Sequence, residues 1–137
     1  MRWLATATLA ALAAPAWAGN GTCPAITPDA FVKRFMDDAA IQKQFTADPL
    51  QAQTIDANAE PEPAPVTQNL PKDRFKFPIM PSTERAAADH LVLKQTPDAK
   101  GGFAAELARP GTDYQVTYRF RAANGCWELY RTEDDSL

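Results

Sequence analysis

Residues 114–132, YQVTYRFRAANGCWELYRT, decide the fold. From Tyr114 to Ala122 apolar and polar residues alternate strictly, the period-two signature of a strand with one buried face. Asn124-Gly125 is the dipeptide best suited to the positive φ angles of a two-residue type I′ turn. Cys126 to Thr132 then forms the returning arm. Such a turn sets Ala123 against Cys126 and fixes each later pair. Ala122 falls opposite Trp127, Arg121 opposite Glu128, Phe120 opposite Leu129, Arg119 opposite Tyr130, and Tyr118 opposite Arg131. A small residue beside Trp127 leaves room for the indole, and the Arg121–Glu128 pair has opposite charges. A slip of one residue would turn the arginines into the core, so the register is strongly specified.

Working back from the hairpin, residues 109–112 (RPGT) make a tight turn with Pro and Gly in favoured places. Phe103, Ala105 and Leu107 alternate in a preceding strand, and residues 91–95 (LVLKQ) suggest another. Residues 74–80 (RFKFPIM) alternate again, and Pro78, which lacks a donor, predicts an edge strand. Residues 56–66 carry three prolines in close succession and predict an exposed, extended loop. Residues 51–57 hold only a weak strand signal.

Towards the N-terminus, Thr27-Pro28-Asp29 reads as a helix start, and Phe31, Val32, Phe35, Met36 and Ala39 form one apolar stripe. Asp38 can cap a second helical turn carrying Ile41 and Phe45. Asp48-Pro49 is expected to end the helical region. The whole predicts an α+β domain over residues 19–137, with an N-terminal helix packed on a curved antiparallel sheet that ends in a long β-hairpin.

Residues 1–18 have a basic start, an apolar run and the small-residue pattern at Pro15-Ala16-Trp17-Ala18. They predict a secretory signal peptide cleaved after Ala18 and place the mature chain in the periplasm or outside the cell. The apolar run is too short to span a bilayer, so no membrane insertion is expected after cleavage. The formal net charge is −3, and loss of Arg2 with the signal makes it more negative, which disfavours nucleic acid as a partner. In an oxidising compartment Cys23 and Cys126 are expected to pair, closing a long loop.

The search for chemistry is mostly negative. The single histidine, His90, has no second ligand at metal spacing, and no nucleophile elbow or Gly-rich phosphate loop occurs. No metal, cofactor or catalytic residue is assigned. Tyr114, Tyr118, Arg131 and Glu106 are the candidates to line a ligand pocket. Arg131 stands out because the expected register puts its charge on the apolar face.

A helix with Phe31-x-x-x-Phe35-x-x-Asp38, then Gln42, Phe45 and Pro49-Leu50, is followed by Tyr118-x-Phe120 and Gly125-Cys126-Trp127-x-Leu129. This pattern resembles a family of exported bacterial domains related to nuclear transport factor 2 and ketosteroid isomerase. The resemblance implies a cone-shaped fold, a helix over a curved sheet, often with a pocket, and it carries over no catalytic residue. Three functions are then weighed, the third a structural accessory of a larger envelope complex, which the sequence does not separate from the first. In the first, a small exported protein binds a protein or envelope component without catalysis, as an immunity or inhibitor protein does. In the second, a small-molecule or isomerase-like pocket occupies the cone.

Overall fold

The computed structural model describes residues 22–137. The expected signal peptide, residues 1–18, lies outside the described residues. Helix α1 (Pro28–Asp37) starts behind Thr27 with Pro28 in its first turn, although the Thr27 side chain makes no capping bond. Phe31, Val32, Phe35 and Met36 are buried along one stripe, as their spacing dictates. Asp38 adopts extended backbone and breaks the helix. Its carboxylate accepts from the amides of Ala40 and Ile41 and so opens α2 (Ala39–Gln44). Helix α3 (Thr83–Ala88) is capped by Ser82 and tied to α1 by Asp37, whose carboxylate accepts from the Thr83 amide at 2.8 Å.

The strands are β1 (Thr46–Asp56), β2 (Ala64–Leu70), β3 (Val92–Pro97), β4 (Phe103–Ala108), β5 (Gln115–Ala123) and β6 (Cys126–Asp134). They form one sheet in the order β2-β1-β6-β5-β4-β3. Strands β3 to β6 are the antiparallel meander read from the sequence. Strand β1 departs from it by lying parallel to β6, with β2 turned back against it. The crossover is possible because the chain leaves α2 directly into the sheet, where the Leu129 amide donates to the Phe45 carbonyl at 2.8 Å.

The sheet corrects the expected curvature. It is open and neither closed nor strongly curled, because β2 and β3 end it at opposite edges with no pairing between them. Adding β1 and β2 beyond β6 extends the sheet sideways rather than rolling it, so the cone does not form. The expected all-antiparallel sheet is likewise mixed. Residues 74–80 are not a strand. A 3-10 turn (Lys72–Arg74) leads into irregular backbone around Pro78, and Phe77 is 40% exposed, so the Phe75-Phe77-Ile79 stripe does not share one buried face. The helical region ends at Gln44, before Asp48-Pro49, which lies inside β1. Pairing with β6 lapses between Thr46 and Gln51, which accommodates the missing donor of Pro49. The expected loop over 56–66 is shorter, since β1 runs to Asp56 and β2 begins at Ala64.

The core lies between the helices and one sheet face. Phe120 of β5 is its centre, stacked on Phe103 at 4.8 Å and met edge-on by Phe35 at 5.2 Å and Phe31 at 5.7 Å. Gln42 of α2 is wholly buried beside this cluster. Its Nε2 donates to the carbonyls of Phe35 at 2.9 Å and Met80 at 2.8 Å. Its Oε1 accepts from the amides of Ile79 at 2.7 Å and Met80 at 3.3 Å. One amide thereby satisfies backbone groups from two segments that have no ladder of their own.

Cys23 and Cys126 form the expected disulfide, with a Cα–Cα distance of 5.4 Å and a sequence separation of 103. Beside it the Trp127 indole donates to the Ile26 carbonyl at 2.7 Å, so the segment before α1 is held twice to the start of β6.

Two predictions follow from these anchors. Gln42→Leu should lower unfolding stability by about 3 kcal/mol or more, because it strands several buried backbone groups. Denaturant titration giving unchanged stability would refute that account. Cys23→Ala with Cys126→Ala should cost up to about 4–5 kcal/mol by the chain-entropy argument, read in the same titration. A loss below about 1 kcal/mol would mean the closed loop hardly constrains the unfolded chain.

Candidate functional site

On the sheet face opposite the helices the polar residues form rows. The Asn124-Gly125 turn has both residues at positive φ, and the pairs Ala123–Cys126, Ala122–Trp127, Arg121–Glu128 and Phe120–Leu129 form as its length requires. Beyond Leu129 the register shifts. Arg131 rather than Tyr130 faces Arg119, and Thr132 rather than Arg131 faces Tyr118. Tyr130 is thus the extra residue of a β-bulge, and every later side chain of β6 changes face. Arg131 leaves the apolar side, where the uninterrupted alternation had put it.

The shift sets two arginines directly opposite each other, an arrangement that like charges disfavour. Glu133 resolves it. Its Oε1 accepts from Arg119 and, at 3.3 Å, from Arg131. Arg131 reaches on to β1, donating to Gln51 Oε1 at 3.1 Å and to Gln53. Burial alone would raise the Glu133 pKa, but hydrogen bonds and charge from Arg119 and Arg131 outweigh it and hold the carboxyl below its ordinary value. Further along the face, Arg121 and Glu128 pair at 2.7 Å, and the Arg121 guanidinium lies 5.3 Å from the centre of the Tyr130 ring.

Clefts of similar size open on the described residues, and three of them bear on function. One of about 380 Å3 lies on this polar face, lined by Glu106, Thr117, Arg119, Glu133 and Asp135 with residues 96–98. A second, of about 370 Å3, lies where the start of α1 meets the β3–β4 turn, between Asp29, Gln95, Asp98, Phe103 and Trp127. A third, of about 360 Å3, is walled by Leu50, Leu70, Phe75 and Ile79, with Arg74, Lys76 and Thr132. Among the described residues no group of three His, Cys, Asp or Glu side chains is arranged to hold a metal ion.

The four residues singled out from the sequence are not brought together. Tyr118 is buried on the helix side of β5, and burial, followed by the nearby Tyr114 and Asp134, raises its pKa strongly. Tyr114 stands half-buried on the same side. Its pKa is raised by burial, then by Asp134 and Asp89, against the lowering effect of Arg109, whose guanidinium lies 5.8 Å from the ring centre. Glu106 and Arg131 occupy the opposite face. Of the four, only Glu106 lines one of the three clefts. Sequence reasoning missed Glu133, whose role depends on the bulge. It also missed the Phe75–Ile79 wall, which it had read as strand.

No known protein family matches the chain. No curated protein matches it either. Among solved structures, an NTF2-like protein from Bacteroides fragilis NCTC 9343 is similar at 20% identity and a TM-score of 0.56, over 79% of this chain and 46% of that one. The chain therefore spans less than half the length of that protein. The likeness is one of fold.

Because the folded Glu133 pKa is depressed, its contribution to stability is present above the unfolded value, near 4.5, and disappears as pH falls through the folded one. Glu133→Gln should melt below the parent at neutral pH, and the gap should narrow as pH drops below about 4.5. Thermal melts with a gap independent of pH would show that the carboxylate charge is not what holds the arginine pair.

Proposed function

We propose that this chain is an exported, non-catalytic binding domain whose partner, a protein or envelope component, meets the polar face of the sheet. The observation that carries this reading is the ordered Arg119–Glu133–Arg131–Gln51 row. Side chains already fixed by one another lose little freedom on association, so such a face binds at low entropic cost. Aromatic packing of Phe31, Phe35, Phe103 and Phe120 beneath the helices supports it from the other side, because it leaves the interior to the core. An immunity- or inhibitor-type protein is the form of this reading that suits a small acidic chain. Export rests on residues 1–18 and on the disulfide, which belongs to an oxidising compartment.

The test is a photo-crosslinking residue placed at Lys94, which is exposed on the polar face, or at Lys33, which is exposed on α1. Each full-length chain is produced in its own host. A discrete adduct from position 94 and none from 33 is expected, with the recovered protein beginning at Gly19. An adduct from 33 alone would move the binding surface to the helices. A product retaining Met1 would remove export.

A further inference from the structure

The cleft bounded by the 3-10 turn differs in chemistry from the other two. Leu50 and Leu70, paired across β1 and β2, form its floor, and Phe75 and Ile79 form its wall. Phe77, with its ring centre 6.3 Å from that of Phe75, continues the apolar surface outwards. Arg74 and Lys76 flank Phe75 in the chain and line the same cleft. Among the described residues neither forms an ion pair, whereas Arg85, Arg119, Arg121 and Arg131 each do. Asp73 of the same turn is exposed and does not line the cleft.

The walls are fixed without a guest. At one end the Lys72 amide donates to the Asp48 carboxylate at 3.1 Å, and the Arg74 amide closes the turn on the Pro71 carbonyl at 2.9 Å. At the other end Ile79 and Met80 hang from the Gln42 amide. A ligand would therefore enter a preformed hollow and would not have to order it.

We propose that this cleft binds a free single-chain anionic amphiphile, its hydrocarbon chain against Leu50, Leu70, Phe75 and Ile79 and its carboxylate at Arg74 and Lys76. Apolar walls favour any chain, and the two unpaired cations select the sign of the head group. A free molecule is the occupant rather than a bilayer surface. An anionic bilayer meets the field of the whole molecule, whose net charge is −3, while a small carboxylate within the cleft meets chiefly its two nearest cations. The inference is independent of a partner on the polar face, which lies on the other side of the sheet.

Calorimetric titration of the processed protein with decanoate and decyltrimethylammonium, each below its micelle concentration, and with decanol below its solubility limit, tests the proposal. Decanoate should bind about fivefold or more tighter than decanol, the gain available from partly exposed charge pairs, and the cationic chain no tighter than decanol. Arg74→Ala with Lys76→Ala should bring decanoate down to decanol. Ile79→Trp should fill the hollow and abolish both. Leu70→Trp fills it from the floor, should Ile79→Trp disturb the anchor at Gln42, and circular dichroism checks that each variant folds. Equal affinity for the three probes, preference for the cation, binding of none, or decanoate binding that survives both tryptophans overturns the proposal. So does binding to phosphatidylglycerol vesicles without binding to decanoate. None of these results bears on crosslinking from position 94, so the two readings fail separately.

Discussion

The side-chain amide of Gln42 is the constraint on which the arrangement of this chain depends. A buried amide without partners would cost several kilocalories per mole, and replacing it by an apolar side chain would transfer that cost to the backbone groups around it. The last turn of α1, helix α2 and the irregular segment above the sheet meet at this one group. Residues 71–81 contain three prolines and cannot join a strand ladder, so their polar groups need partners from side chains. Gln42 supplies them from within the core. It thereby sets where Ile79 stands, and with it one end of the wall of the apolar cleft.

A second constraint acts through a single residue. Tyr130 bulges out of β6, and the strand beyond it turns over. With no bulge, Arg131 would sit in the core face beside Tyr118, where its charge would have to find a path to water. With the bulge, it joins Arg119 across one carboxylate and reaches the glutamines of β1. That bond pattern also helps to explain how β1 is held parallel to β6. Strand β1 is weakly apolar and interrupted by Pro49, so side-chain bonds from Arg131 reinforce a ladder that is incomplete between Thr46 and Gln51.

What the sequence disclosed, and what it concealed, follows the same division. The meander from β3 to β6, the hairpin turn, the α1 stripe and the Asp38 cap were legible because each rests on local periodicity or on a capping side chain. Strand β2 was not, because its residues are exposed or only half-buried along an edge and carry no alternation to read. The wall at 75–79 was misread since alternating apolar residues look alike in a strand and in an irregular segment, here with Lys76 and Pro78 between them. The open sheet was concealed for another reason. Whether a sheet curls depends on which strands meet at its edges, and the β1–β6 pairing joins residues some eighty positions apart with no local trace. Of Tyr114, Tyr118, Arg131 and Glu106, the bulge moves Arg131 to the polar face, where the alternation of β4 already puts Glu106, and leaves the two tyrosines on the helix side.

The separation of faces also bears on how a chain of modest net negative charge can present cations usefully. Its hairpin arginines are spent on carboxylates: Arg119 and Arg131 on Glu133, and Arg121 on Glu128. These pairs give order more than attraction, since partly exposed ion pairs contribute little net energy but restrict the side chains that form them. Arg74 and Lys76 stand instead beside an apolar hollow, with no carboxylate among the described residues engaged to either. Both are exposed, so each offers an incoming anion a modest, salt-screened attraction that adds to burial of its chain. Arginines satisfied by carboxylates in the hairpin and cations left unpaired beside the hollow therefore suit different guests. The first suits a broad surface that keeps its shape, and the second suits a small guest that brings its own counter-charge.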